Sequence, residues 1–159
     1  MTGPARNRLS LTALLGLVGK CLLPGCTAPP APEGAGDAWF ESVRWEHRLL
    51  VIDGSDEVAA RQVEVCRADG PGLLERDLIV VALSGDDSRL VTGARADLPA
   101  AETFRTRFEL DSDSFEVVLV GKDGGVKERR DRLFATEALF DIIDAMPMRM
   151  REMRERGTD

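Results

Sequence analysis

A chain of 159 residues is long enough for one ordinary domain with its own core, and too short for two. With 43% hydrophobic and 31% charged residues it has the composition of a globular chain, which excludes a disordered or fibrous one. A net charge of −7 offers nucleic acid no electrostatic attraction, and one His with three Cys excludes a His/Cys metal cage of the usual size.

The amino terminus has the pattern of a targeting segment. Arg6 and Arg8 precede an apolar run over residues 9–19, which is signal-peptide length and shorter than the roughly 20 residues a membrane-spanning helix needs. Leu22-Leu23-Pro24-Gly25-Cys26 resembles a bacterial lipobox, in which the Cys is lipidated and becomes the first mature residue. The expectation is a signal peptide over residues 1–25, lipidation of Cys26, and a Pro/Gly/Ala tether over residues 26–38. The lipid is then the one contact with the membrane, and the expected address is the cell envelope or periplasm.

The folded part is expected over residues 39–156. Residues 48–53 (RLLVID) form an apolar run ended by Asp-Gly, a buried strand. Ser55 is the N-cap candidate of a helix that places Val58, Gln62, Val65 and Cys66 on one face, and Gly70-Pro71-Gly72 breaks it. Residues 78–83 (LIVVAL) are apolar throughout, as a strand covered on both faces should be. Residues 84–97 read as an exposed loop. A helix starts near Pro99, with Ala100, Ala101, Phe104 and Phe108 at helical spacing.

Residues 115–120 are a third strand. Asp123-Gly124 then signals a type I′ hairpin into a fourth strand over residues 126–130. Thr136 caps a helix with Leu139, Phe140, Ile142, Ile143 and Met146 turned inward. Pro147 breaks that helix, and Arg149/Glu152 and Glu152/Arg156 can pair along a polar helix beyond it. The order β-α-β-α-β-β-α, with a parallel crossover and a final antiparallel hairpin, predicts a thioredoxin-like mixed α/β sheet carrying an Arg-rich C-terminal helix.

Three segments carry a resemblance: residues 75–80 (ERDLIV), residues 120–127 (VGKDGGVK), and residues 143–149 (IDAMPMR) with Glu152-Met153. Together they resemble the DUF 4174 family over about residues 39–155. That resemblance implies a fold distantly similar to peroxiredoxins and thioredoxins. It also implies a secreted or envelope setting, since members are bacterial secreted or periplasmic proteins and domains of vertebrate extracellular-matrix proteins. It brings no established reaction.

Thioredoxin-like redox enzymes place a thiol just after the first strand, where the helix N-terminus lowers its pKa. Asp53-Gly54-Ser55-Asp56 stands there instead, so no catalytic residue is assigned and Cys66 reads as a buried hydrophobe. Lys122-Asp123-Gly124-Gly125 is not a phosphate loop, because Glu116 and Asp123 stand where a glycine and a hydroxyl belong. Asp86, Asp87, Asp111 and Asp113 do not match a calcium loop, and His47 has no partner at a motif spacing.

The leading expectation is a binding module for a protein partner in the cell envelope, without thiol catalysis, cofactor or metal. Two alternatives stand beside it. One is a peroxiredoxin-like oxidoreductase or antioxidant role. The other is small-anion binding, in which Lys122, Asp123, Gly124, Gly125, Lys127 and Arg129 offer cations beside backbone amides. The tail residues Asp144, Met146, Pro147, Met148, Arg149 and Glu152 form either a structural clasp or a recognition segment. Of these two, Arg149 is expected to bind carboxylates or carbonyls of the core.

Overall fold

The computed structural model describes residues 34–95 and 97–157. The signal peptide, Cys26 and most of the tether lie outside the described residues. Eleven elements follow in chain order: α1 (Ala35–Val43), β1 (Arg48–Asp53), α2 (Glu57–Ala68), α3 (Gly70–Glu75), β2 (Leu78–Ser84), β3 (Asp87–Thr92), α4 (Ala101–Phe108), β4 (Glu116–Val120), β5 (Val126–Arg130), α5 (Thr136–Asp144) and α6 (Pro147–Arg156).

The three apolar runs are the centre of one sheet ordered β3-β2-β1-β4-β5. β1 pairs parallel with β2 and antiparallel with β4, and β5 closes the hairpin on β4. These directions fit the thioredoxin-like arrangement. Alternation along the strands fills two cores. Leu50, Ile52, Val80, Ala82, Val117 and Leu119 meet Ala59, Val63 and Cys66 of α2, Leu73 of α3, and Leu139 and Ile143 of α5. Leu49, Val51, Ile79, Val81, Val118 and Val120 meet Trp39 and Phe40 of α1 and Phe104 and Phe108 of α4. The four rings pack edge to face, with centroids 5.2–5.6 Å apart.

Four expectations change. The tether ends earlier than residue 38, because Trp39, Phe40 and Val43 anchor a helix that begins at Ala35. The loop over residues 84–97 contains β3. Gly85-Asp86, with φ +56° at the glycine, is the two-residue turn that folds β3 back along β2. Gly70-Pro71-Gly72 ends α2 but opens α3, since proline is tolerated in a first helical turn. The β4–β5 turn is not type I′. Gly124 has φ +80° while Asp123 does not go positive, and Gly121 N–H bonds Gly125 O while Gly124 N–H bonds Gly121 O, a three-residue loop with a bulge.

The caps and helix faces shift as well. Asp56, not Ser55, caps α2 by accepting from Ala59 N–H at 2.9 Å. Its buried face is Ala59, Gln62, Val63 and Cys66, so Val58 and Val65 lie off it. Ala135 stands at the N-cap of α5, and Thr136 Oγ1 donates to Asp69 instead.

Candidate functional site

Three backbone corners meet at the end of the sheet where β1 and β2 begin. Arg48 opens β1, Asp77 precedes β2 in a left-handed conformation (φ +49°), and Lys122 follows β4. All three carry charge into a region that α6 covers. Arg48, 1% exposed, donates through Nη1 to Arg76 O at 2.8 Å and through Nη2 to Glu152 Oε1 at 3.2 Å. Lys122 Nζ lies 2.8 Å from both Asp77 Oδ2 and Glu152 Oε1, and Arg156 reaches Asp77 at 3.4 Å.

Arg149, also 1% exposed, closes the other half of the network. Its Nε donates to Asp144 Oδ1 at 3.0 Å, Nη1 to Glu75 O at 3.1 Å and Nη2 to Glu75 Oε1 at 2.7 Å. Arg76 bonds the second Asp144 oxygen at 2.6 Å and stacks on Phe140. The expected pairs along α6 therefore give way to partners across the fold. Arg149 reaches Asp144 and Glu75, Glu152 reaches Arg48 and Lys122, and Arg156 reaches Asp77 and the Glu75 carbonyl that Arg149 also uses, because fixed charges and carbonyls are there to meet them.

Burial opposes ionisation of Asp77, Asp144 and Glu152, but the cations bonded to them prevail. Lys122 holds Asp77 below the ordinary range, Arg76 and Arg149 hold Asp144, and Lys122 and Arg48 hold Glu152. Carboxylates with depressed native pKa values stabilise the fold above their unfolded values, about 3.9 for Asp and 4.3 for Glu, and that contribution is lost as pH falls through the native values. The expected stability profile is flat above about pH 5 and falls below about pH 4. Urea melts across this window check it, and a profile equally stable at pH 3 and pH 6 would remove the network from the stability balance.

Beside the network lies a cavity of about 300 Å³. It is lined by Gly121, Lys122, Asp123 and Lys127 of the hairpin, by Met146, Pro147 and Met148 of the α5–α6 turn, and by Arg48. The two segments most distinctive in the sequence thus line one site. Asp123 accepts from Lys127 Nζ at 2.6 Å and from Gly125 N–H at 3.1 Å, and the Lys127 bond holds its carboxyl below the ordinary range. Gly124 and Gly125 shape the turn. Arg129 is not part of this site: it binds Glu116 at 2.6 Å and Phe108 O at 2.5 Å, near the end of α4.

The hairpin also holds Trp45. This exposed residue (58%) has φ +69°, donates its N–H to Lys122 O at 2.6 Å, and lies under the Arg44 guanidinium. Arg44 Nε in turn donates to Asp123 O at 3.2 Å.

At the far end of β1, Asp53 is fully buried and takes two bonds of 2.8 Å from Arg105 Nε and Nη2. It stands beside Gly54 and Ser55 in a polar cleft of about 330 Å³, where no residue is a cysteine. Cys66 is fully buried in α2, and burial pushes its thiol pKa up, so the reactive thiolate is disfavoured there. Among the described residues no three His, Cys, Asp or Glu side chains are grouped to hold a metal. No described helix is long and apolar enough to cross a membrane.

Sequence reading missed Arg48, Glu75, Arg76 and Asp77 as members of the network. One signal was available, an arginine at the head of a strand whose next four residues are apolar.

Curated relatives match part of the chain. Coiled-coil domain-containing protein 80 of Danio rerio is 25% identical over 129 residues, covering 69% of this chain and 15% of the relative. Sushi repeat-containing protein SRPX2 of Xenopus laevis is 28% identical over 125 residues, covering 75% and 26%. Sushi repeat-containing protein SRPX of Rattus norvegicus is 40% identical over 85 residues, covering 52% and 18%. The chain thus spans about a quarter or less of the length of each. A family model described as a domain of unknown function, DUF4174, matches residues 39–152, which takes in the sheet, the hairpin and the α5–α6 turn, and the chain belongs to that family.

Proposed function

We propose that this domain is an exported, envelope-tethered binding module that works without thiol catalysis, and that it recognises its partner at the cavity between the hairpin and the α5–α6 turn. One observation carries the reading: the GKDGGVK and DAMPMR segments, 17 or more residues apart in sequence, line the same cavity. The rival oxidoreductase reading lacks a thiol at the strand end, and Cys66 is buried with a raised pKa. The buried Arg149 network fixes one wall, so recognition falls to Met146, Met148 and Lys127.

The test is cross-linking in intact envelope with the wild type and with Met148→Glu, which places a charge against the apolar wall. The expected result is a cross-linked partner lost in the variant while its thermal melt stays within the surface range, about 0.5 kcal/mol. Retention of the same partner by Met148→Glu would sink the assignment of the site. Peroxide or disulfide turnover that disappears in Cys66→Ser would promote the rival.

Tethering is tested separately at Cys26. The wild type is expected to partition into detergent and Cys26→Ser to remain in the aqueous phase, read by phase separation and by mass spectrometry of the mature terminus. A wild-type mature chain that begins elsewhere than Cys26 and stays aqueous refutes the anchor.

A further inference from the structure

Helix α6 is attached to the domain by different forces from the other five helices. Each of those places a side chain in one of the two cores: Trp39 of α1, Ala59 of α2, Leu73 of α3, Phe104 of α4 and Leu139 of α5. Among the described residues, neither core includes any of 147–156. Within α6 only Arg149 is buried, while Met150 and Met153 are 43% and 38% exposed.

Charge holds this helix down. Arg149 reaches Asp144 and Glu75, Glu152 reaches Arg48 and Lys122, and Arg156 reaches Asp77. Apolar burial survives added salt, whereas ion pairs are screened by it, and charges brought out of water carry a desolvation cost that their pairing must offset. The attachment of α6 therefore responds to conditions that leave the cores intact.

The groups beneath α6 keep partners of their own when it leaves. Arg48 retains its bond to Arg76 O at 2.8 Å, Lys122 retains Asp77 at 2.8 Å, and Asp144 retains Arg76 at 2.6 Å. Lifting the helix hydrates these groups and strands none of them as an unpaired buried charge. The joint also suits the movement. Met146 packs against the first core and is extended (ψ 136°), and Pro147, which follows it, has no N–H to bond back to α5. A joint at the end of an element, where a few dihedral angles absorb the change, is where hinges form.

We propose that α6 is a strap latched by charge, which lifts as one unit about the Met146–Pro147 joint while both cores stay folded. In lifting it takes Pro147 and Met148 out of the cavity lining. This rests on the reading of that cavity as the recognition site and makes access to it depend on ionic strength.

The experiment is native-state amide hydrogen exchange on the full chain, with urea kept below the unfolding transition. The bonded amides from Met150 to Gly157 are expected to exchange at one common opening equilibrium, at least about a hundredfold more often than those of β1 and β2. Their opening is expected to be nearly independent of urea, because little surface is exposed, while the strands show a steep slope. Raising NaCl from about 0.05 to 0.5 M is expected to speed α6 several-fold. Lys122→Gln, a substitution outside the helix, is expected to speed all of its amides together.

One rate and one urea slope shared by α6 and the strands would overturn the strap. So would a gradient of exchange rising toward residue 157 that Lys122→Gln leaves unchanged, since that is fraying. If the strap fails and the envelope partner still depends on Met148, the recognition site stands and its control falls. If α6 opens on its own and that dependence is missing, the strap stands and the recognition reading falls.

Discussion

Arg149→Ala is expected to cost about 3 kcal/mol of stability, well outside the surface range and on the order of 10 °C in Tm for a domain of this size. The estimate sits at the low end of the cost of breaking a buried ion pair for a structural reason. Arg149 is buried, but the carboxylates it leaves behind are not: Glu75 has 60% of its side chain exposed and Asp144 has 30%. Both can be rehydrated, and Asp144 keeps Arg76 at 2.6 Å. What is lost is the packed guanidinium itself and its bond to Glu75 O. Arg149→Lys is expected to fall between the wild type and Ala, because an ammonium keeps the charge and cannot span Asp144 and Glu75 with a planar fork. Thermal and urea melts of the three proteins decide it. A wild-type melt for Arg149→Ala, together with loss of the cross-linked partner, would reassign Arg149 from holding α6 to recognition.

Arg105→Met is expected to cost more, about 3–5 kcal/mol, because the group it abandons is fully buried. Asp53 sits at the end of the central strand with no exposure, and Arg105 supplies both of its 2.8 Å bonds while also donating to Gly85 O at 2.7 Å. Removing the cation leaves a buried carboxylate without the two hydrogen bonds that Arg105 supplies. Asp53→Asn/Arg105→Met is expected to recover a large part of the loss, since a neutral amide is far cheaper to bury than an unpaired charge. The double-mutant cycle is the measurement. If the two losses simply add, the pair is not coupled, and the explanation must move to the packing of α4.

The sheet was legible because its signals are local. RLLVID, LIVVAL and the run ending at Val120 are apolar at successive positions, and a strand buried on both faces has to be. β3 was hidden by its own polarity. Asp87, Ser88 and Arg89 read as loop, and the signal for the strand was the Gly85-Asp86 turn before it. α1 was hidden by the Pro/Gly/Ala stretch that runs into it, although Trp39, Phe40 and Val43 are spaced for one helical face.

For the candidate site, GKDGGVK and DAMPMR were each visible, and their meeting was not. Periodicity reports neighbours on the same helix, so it offered Glu152 to Arg149 at i, i+3. The real partners of α6 are Glu75, 74 residues away from Arg149, and Arg48, 104 residues away from Glu152. Electrostatic partners at that separation are set by topology: the sequence marked Arg149 as a residue that would bind the core and Arg48 as a charge heading a strand, and it did not pair either with its partner.

That separation has a consequence for the order in which the chain can finish folding. The central strand contributes Arg48 near the beginning of the domain, and its carboxylate arrives with the last helix. Until residue 152 is available, the guanidinium cannot be sealed from water at low cost, and the entrance to both β1 and β2 stays wet. A chain emerging amino terminus first, from a ribosome or through a membrane pore, therefore carries its sheet in an unsealed form until residue 152 has come through. The closing step is the docking of α6, a late and long-range event, so the C-terminal helix sets the moment at which a threadable chain becomes a compact one.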